Sequence, residues 1–405
     1  MKNSDFEHLY SDRARRATAS EIREILKMMD DPDLISFAGG IPNPETFPTR
    51  IISEISQNVL AESPNETLQY GVTEGVPQLR DALSELMGRQ GVDAGAEEVL
   101  ITSGATQTID LCSQAFLQTG RRVITESPSF LAALLSFKSY SAEIDDIRMD
   151  GDGIMTDLLG DCLGQLRRKG MSPTMLYVIP NFQNPTGVTL SESRRRELVG
   201  IANEHDLLVL EDDPYGQLRY EGDAVRPVKA FDDSGRVIYV SSFSKILSPG
   251  MRIGWAVAHP EIIKKLTILK QTADVHTSVL SQRIAGEYLR GGHLGRQLPV
   301  IREIYGRKQR IMLAAMDEHF PERTRWTRPQ GGMFIWATLP ESVDTLQLLP
   351  KAVERKVAYM QGRLFYPNGG GESEMRLNFT HPSDELIAEG VKRLGILIEG
   401  ELRAH

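Results

Sequence analysis

Residues 237–255 read VIYVSSFSKILSPGMRIGW, and their reading decides the fold. The run from Val237 to Ser242 is rich in β-branched and aromatic residues, the composition of a strand buried on both faces. It leads into a hydroxyl-rich turn carrying Lys245, a Pro249–Gly250 turn, Arg252, and a second apolar run, IGWAVA (253–258). Working outward, the same pattern recurs. VLIT (99–102) is followed by SGAT, MLYVIP (175–180) by NFQNPTG, and LLVLE (207–211) by DDPY, with RVITE (122–126) as a further strand. Helical segments such as Gln107–Leu117 and Ser191–Asn203 lie between the strands, and Glu261–Arg290 reads as one long helix. Strands alternating with helices predict an α/β fold, a three-layer αβα domain with a mostly parallel sheet. GGMFIWATLP (331–340) and MRLNFT (375–380) are strands of a smaller α+β lobe, and PNGGG (367–371) is a loop. A chain of 405 residues is too long for one ordinary core. The expected division is a large domain over 48–290 and a small one built from 1–47 and 291–405.

Composition narrows the class. The chain is 40% hydrophobic and 25% charged, with a mean hydropathy of −0.27, so it can fill a sizeable core. No apolar run approaches the roughly 20 residues that span a bilayer. The opening MKNSDFEHLYSDRARR lacks the apolar stretch of a signal peptide, and its acidic residues argue against an organelle transit peptide, so cytoplasm is the expected compartment. The formal charge of −9, from 46 basic and 55 acidic residues, disfavours general nucleic-acid binding. It leaves room for a local cationic pocket. Cys112 and Cys162 form no CxxC and no metal spacing, and no disulfide is expected between them.

In open α/β sheets ligand groups collect past the carboxyl ends of strands. Four strand ends, read as adjacent, would deliver Gly104–Ala105–Thr106, Asn184, Asp212 with Tyr215, and Ser242, Ser244 and Lys245 to one rim. Each admits two readings. Lys245 is a solvated loop lysine, or an amine made nucleophilic by burial and a nearby cation. Asp212 is a turn or cap residue, or the partner of a protonated ring nitrogen; the triplet Glu211–Asp212–Asp213 has no histidine at metal-ligand spacing. Tyr215 and Asn184 can share a phenolate oxygen, though NPTG is also a plain turn. Gly104–Ala105–Thr106 opens a helix whose free N–H groups and dipole suit a phosphate, or simply caps that helix; Ser242, Ser244 and Arg252 would complete a phosphate seat. Phe130 is either a stacking surface for a flat ring or core. Arg376, inside an apolar strand, requires a partner that is either an internal acid or a substrate carboxylate.

Taken jointly, SFSKILSPGMRIGW, NPTG, EDDPY, SGATQ, LQYGVTEGVPQLR and MRLNF resemble the class I/II aminotransferases, enzymes of the pyridoxal-phosphate (PLP) fold type I. SEIREILKMMDDPDLISFAGGIPNPETFP, GGMFIW and PNGGGE are similar to the 2-aminoadipate and kynurenine aminotransferase subgroup. The resemblance begins near residue 18 and runs to the end. It implies that Lys245 holds PLP as an imine and then moves the substrate's Cα proton. It implies Asp212 on the ring nitrogen, and Tyr215 and Asn184 on the phenolate oxygen. Gly104, Ala105, Thr106, Ser242, Ser244 and Arg252 would hold the phosphate, with Tyr70 reaching it from the other subunit of a homodimer. Arg376 would clamp the substrate α-carboxylate, Gly39–Gly40 would line the cavity, and Arg23 would meet a distal carboxylate or aromatic side chain. Three features depart from the family pattern: Ala105–Thr106 in place of Ser-Gln, Phe130 in place of Tyr, and Tyr359–Met360–Gln361–Gly362 where a Val-Pro-Gly loop is usual.

Transfer of an α-amino group from an L-amino acid of 2-aminoadipate, aromatic or branched-chain type to a 2-oxo acid such as 2-oxoglutarate is the function expected. A decarboxylase, lyase or racemase on the same scaffold is the alternative, because the Cα bond set perpendicular to the ring is the one that breaks. Related sequences also form the PLP-sensing half of MocR-type transcription regulators. That reading needs a DNA-binding domain, for which the segment before residue 18 is too short.

Overall fold

Eight strands form the main sheet: β1 (Val99–Thr102), β2 (Arg122–Ser127), β3 (Glu143–Asp150), β4 (Gly153–Ile154), β5 (Met175–Val178), β6 (Leu208–Asp212), β7 (Val237–Ser242) and β8 (Gly254–Val257). They come from a computed structural model that describes residues 6–16, 31 and 33–404. Their order is β1-β8-β7-β6-β5-β2-β3-β4. Pairing is parallel from β7 through β6, β5 and β2 to β3. β8 runs antiparallel between β1 and β7, and β4 turns back on β3.

The unbroken apolar runs have a direct cause. Along β2, β5, β6 and β7, Val123, Met175, Tyr177, Leu210, Ile238 and Val240 enter one core cluster. Their alternate neighbours Ile124, Leu176, Val178, Val209 and Val237 enter a separate one. Successive side chains point to opposite faces of a strand, so both faces are covered and every position must be apolar. The expected three-layer, mostly parallel architecture is therefore present.

Three expectations need correction. The four ligand-bearing strand ends are not all adjacent, because β8 separates β1 from β7; two antiparallel steps leave β1 parallel to β7, so all four ends still share a rim. β3, sequence EIDDIRMD, was not foreseen. Its charged residues look unlike a buried strand, but Arg122 forks onto Asp145 at 2.7 Å and Asn368 donates to Asp146 at 2.6 Å. Only Ile147 is buried there. The long helix over 261–290 is two helices, α1 (Pro260–Asp274) and α2 (Val279–Arg290), broken at Val275 with φ +62°. The second starts with Ser278 accepting from the Ser281 N–H, an N-cap hidden inside a continuous helical pattern.

A second, antiparallel sheet contains β9 (Arg325–Trp326), β10 (Phe334–Thr338), β11 (Met360–Gln361) and β12 (Glu374–Asn378), in the order β9-β10-β12-β11. Tyr359–Gly362, read as a loop, thus supplies a strand, and its Met360 pairs with Arg376. Helices α3 (His293–His319) and α4 (Asp384–Ala404) pack on each other. The segment Ile35–Ser36 pairs in parallel with Val357–Ala358, and Phe37 O accepts from Asn378 N at 2.8 Å. That attachment brings Gly39 and Gly40 over the rim of the main sheet. Among the described residues no helix is long and apolar enough to cross a membrane.

Candidate active site

A cavity of about 360 Å³ opens at this rim, and its wall includes Gly39, Gly40, Ala105, Thr106, Phe130, Asn184, Asp212, Tyr215, Ser242, Ser244, Lys245, Arg252 and Arg376. Residues up to 337 positions apart in sequence are thus brought to one small space. Of the other sequence-predicted positions, Gly104 lies just behind the wall, Tyr70 stands away from the cavity with 81% exposure, and Arg23 falls outside the described residues.

One end of the cavity is built for an oxyanion. Gly104 sits at φ +86° and starts the helix Ala105–Phe116. A side chain there would collide with the Arg252 guanidinium. Gly254 is bare for a similar reason: a Cβ would stand 2.7 Å from Ala105 N. The two glycines let the helix N-terminus and Arg252 close on the same spot. Arg252 donates only to the carbonyls of Pro249 and Ser103, so its charge has no carboxylate partner among the described residues. Ser242 Oγ accepts from Ser244 N at 3.0 Å and lies 2.8 Å from Ser244 Oγ. Behind the turn, Asp274 Oδ2 takes Gln107 Nε2 at 2.8 Å and Ser103 Oγ at 3.1 Å. Asp274 went unnoticed in the sequence because it ends a helix 167 residues further on.

Asp212 lies at the end of β6 and is 2% exposed. Tyr177 donates to its Oδ2 at 2.7 Å, while its Oδ1 has no hydrogen-bond partner among the described residues. Burial pushes its pKa up to about 7, against the Tyr177 hydrogen bond, and Asp213 adds to the rise. A buried carboxylate oxygen left unpaired is costly, and a protonated heteroaromatic nitrogen would satisfy it. The neighbouring carboxylates diverge from it. Glu211 accepts from the backbone N–H groups of Val228 and Lys229; Asp213 accepts from Asn181 and Gly216. No metal-binding cluster exists among the described residues.

Lys245 stands between the two ends. Its Nζ donates to Gly40 O at 2.8 Å. Burial, then the Arg376 and Arg252 charges, bring its pKa down to about 8, so a useful fraction of the amine is neutral and nucleophilic near neutral pH. Asn184 links the remaining groups: its Oδ1 accepts from Arg376 Nη1 at 2.8 Å, and its side chain hydrogen-bonds Tyr215. Burial holds the Tyr215 hydroxyl above its ordinary pKa, so it remains a donor.

Arg376 is 5% exposed. It has no acidic partner among the described residues; its Nη2 donates to Ala38 O at 2.7 Å and Nε is unpartnered. The guanidinium lies 4.2 Å from the centre of the Phe334 ring and 5.1 Å from that of Phe365. Burial lowers its pKa to about 10. Of the two partners allowed by the sequence, the internal acid is absent among the described residues.

Glu126 is a member of this neighbourhood that sequence reasoning missed. Fully buried at the end of β2, it accepts from Ile179 N at 3.0 Å and Gln183 Nε2 at 3.2 Å, and its Oε1 is unpartnered. Burial pushes its pKa up to about 8, and Asp212 contributes to the rise. Gln183 in turn accepts from Thr186 N and Oγ1, which frames Asn184 between them.

An oxyanion seat, an unpaired buried carboxylate, an amine of lowered pKa and a free guanidinium suit a phosphorylated pyridine carrying a carbonyl, together with an amino-acid carboxylate. PLP has that chemistry, and the residues present fit it. Comparison with known proteins agrees. The profile of the family "Aminotransferase class I and II" matches residues 32–394. An aromatic-amino-acid aminotransferase of Thermococcus litoralis is 46% identical over 98% of this chain and 96% of its own length. The Pyrococcus horikoshii kynurenine aminotransferase, solved with PMP, superposes with a TM-score of 0.96 at 43% identity, covering 98% of this chain and 99% of the other. The Thermus thermophilus α-aminoadipate aminotransferase, solved with a phosphopyridoxyl-leucine adduct, gives 0.91 at 38% identity over 99% and 100%. Similarity of this extent, over both lobes and with the cavity intact, makes the protein a PLP-dependent amino-acid aminotransferase of fold type I, and the chain belongs to the class I and II aminotransferase family.

Proposed function

We propose that this aminotransferase takes its amino group from L-amino acids with large side chains, of aromatic, 2-aminoadipate or branched-chain type, and passes it to a 2-oxo acid such as 2-oxoglutarate. The observation that carries the reading is the buried, carboxylate-free Arg376, set in a cavity whose other walls include Ile41, Phe130, Phe334 and Met360. A guanidinium fork matches a carboxylate in two hydrogen bonds, and apolar walls favour a bulky side chain. The relatives named for aromatic amino acids, kynurenine and aminoadipate support the same substrate range.

When bound, PLP supplies the electron sink that makes the Cα–H bond acidic. The protein's own groups do the rest. Asp212 Oδ1, buried and without a partner among the described residues, would pair with the ring nitrogen and keep it protonated. Tyr177, by donating to Oδ2, favours the ionised carboxylate. Asn184 and Tyr215 share the phenolate oxygen, while Ala105, Thr106, Ser242, Ser244 and Arg252, closed by Gly104, hold the phosphate. Phe130, on the cavity wall, would face the ring. Arg376 fixes the α-carboxylate, which orients the Cα–H bond for removal. Lys245 Nζ, with its lowered pKa, would hold the cofactor and, once free of it, would be the base placed to take the Cα proton. Gly39 and Gly40 close the cavity, with Gly40 O receiving the Lys245 ammonium.

The working unit in this reading is a cytoplasmic homodimer. Tyr70 is 81% exposed beside Leu68 at 71% and Val72 at 55%, an apolar outcrop that supports burial against a second copy, with Tyr70 reaching the partner's phosphate seat. In the same reading 48–290 make the large domain, and 291–404 with the described residues before 48 make the small one. A donor screen with 2-oxoglutarate and pyruvate as acceptors, following glutamate and alanine formation, tests the substrate range. Preference for aspartate or alanine over every aromatic, aminoadipate and branched-chain donor would refute it.

A further inference from the structure

A second cavity, of about 950 Å³, lies behind the first. The two share a wall without sharing lining residues. Along the segment 212–217, Asp212, Pro214 and Tyr215 face the cofactor cavity, whereas Asp213, Gly216 and Gln217 face the second. The preceding loop divides the same way, with Asn184 on one side and Asn181 on the other.

The second cavity is cationic in a chain whose formal charge is −9. Five arginines line it against two carboxylates, Glu85 and Asp213. Arg226 and Arg290 are paired with Glu192 and Glu287. Asp213 is already engaged by Asn181 and Gly216. Arg89, Arg219 and Arg302 have no salt-bridge partner among the described residues. Arg219 and Arg302 are half-buried, and desolvation disfavours charge on both. Guanidinium groups without a carboxylate partner, two of them half-buried, gathered round one hollow are suited to an anion, because each fork matches two oxygens of a carboxylate or phosphate. The volume lies in the range of small-molecule pockets, and Leu86, Leu289 and Leu298 give it an apolar floor.

The arginines also hold the back of the catalytic segments. Arg302 Nε donates to Gln217 O at 2.8 Å, two residues from Tyr215. The Arg219 guanidinium lies 4.8 Å from the centre of the Phe182 ring, two residues from Asn184. We propose that this cavity is a second binding site, for a small molecule bearing two or more oxyanion groups, and that its occupancy is transmitted to the cofactor cavity through the shared segment 212–217.

The test uses the PLP-loaded enzyme, whose own phosphate seat is filled. Citrate and inorganic phosphate are titrated by calorimetry against sodium chloride of matched ionic strength, on the parent protein and on Arg89→Gln, Arg219→Gln and Arg302→Gln. Arg89 is exposed, so its variant guards against a folding defect. The expected result is saturable binding near one per chain, weakened at least tenfold in each variant. A change in donor KM on adding the anion should also be present in the parent protein and absent from Arg302→Gln. Binding by citrate alone would assign the site to polycarboxylates, and binding by phosphate alone to phosphorylated ligands. Heats no larger than those of sodium chloride, or binding unchanged in all three variants, would overturn the proposal.

Discussion

Replacing Arg376 with alanine and with lysine separates its two contributions. The guanidinium is 5% exposed and spends its hydrogen bonds on two neutral acceptors, Asn184 Oδ1 and Ala38 O. An arriving carboxylate would be desolvated in the same cavity and, in Arg376→Ala, would lose its guanidinium fork. Truncating one partner of a buried hydrogen-bonded charge pair costs about 2–5 kcal/mol, which is roughly 30- to 4000-fold in kcat/KM. Because the α-carboxylate is common to all donors, tyrosine, 2-aminoadipate and leucine should lose by similar factors.

Arg376 has a second effect. After burial, its charge is the next contributor to the lowered pKa of Lys245. Removing that charge should raise the Lys245 pKa. The pH at which cofactor-free protein captures PLP, a step that needs the neutral amine, should then move upward in Arg376→Ala. Arg376→Lys keeps a charge and loses the planar fork, so it should keep the capture profile and still lose kcat/KM. Steady-state kinetics on three donors, and PLP capture followed by absorbance across pH, measure both. A loss confined to one donor would mean that Arg376 reads the side chain. An unchanged capture profile in Arg376→Ala would refute the electrostatic coupling.

Lys245→Met should abolish turnover and stabilise the cofactor-free protein by about 1–3 kcal/mol at pH 7, since one pKa unit is worth about 1.4 kcal/mol and partial solvent access discounts the full shift. The folded amine titrates near 8 and the unfolded one near 10.4; between these values the unfolded chain binds more protons, so parent stability should gain over pH 8–10 relative to the variant, as urea titrations can check. Asp212→Asn should lower kcat/KM by about 10- to 150-fold, the worth of a charge-assisted hydrogen bond at about 1.5–3 kcal/mol. In the cofactor-free protein the Asp212 pKa is raised to about 7, so this group favours folding at low pH and loses that contribution as pH rises from about 4 to 7; denaturation of Asp212→Asn should lack the trend. Glu126→Ala should destabilise the fold by about 1–3 kcal/mol by leaving Ile179 N without its acceptor and Gln183 Nε2 with Pro128 O alone. Glu126→Gln retains an acceptor and should cost less than half as much by the same measurement.

Most of the cofactor-side residues that the sequence brought to the site share one property: each lies at or just past the end of an apolar strand. A strand buried on both faces announces itself by composition, and its last residue is then placed by the sheet to within one rim. Lys245, Asp212, Asn184 and the Gly104 turn were legible for that reason, and the family motifs gathered them into one site. β3 was illegible because its apolar residues, Ile144, Ile147 and Met149, are interrupted by charges and only Ile147 is buried. Arg122 pairs with Asp145 and Glu143, Asn368, 222 positions away, donates to Asp146, and local pattern carries no trace of such partners. The break at Val275 was hidden for the opposite reason, since helical periodicity continues through it while a single left-handed residue redirects the chain.

Glu126 and Asp274 went unread because chemistry assigned from sequence stops at groups that would touch a ligand. Both act one layer behind. Asp274 draws Gln107 and Ser103 to the helix start that seats an anion, and Glu126 secures Gln183 beside Asn184. The second cavity makes the same point for a whole surface. Its five arginines lie on four separate segments, none has a motif, and they converge only because α2, α3, the loop after β6 and the turn at Arg89 pack together. Residues 212–217 divide between the two cavities, Asp212, Pro214 and Tyr215 to one and Asp213, Gly216 and Gln217 to the other. A segment that lines a catalytic wall with one set of residues and a binding wall with the other lets a ligand on the far side act on Asp212 and Tyr215 through the backbone they already share.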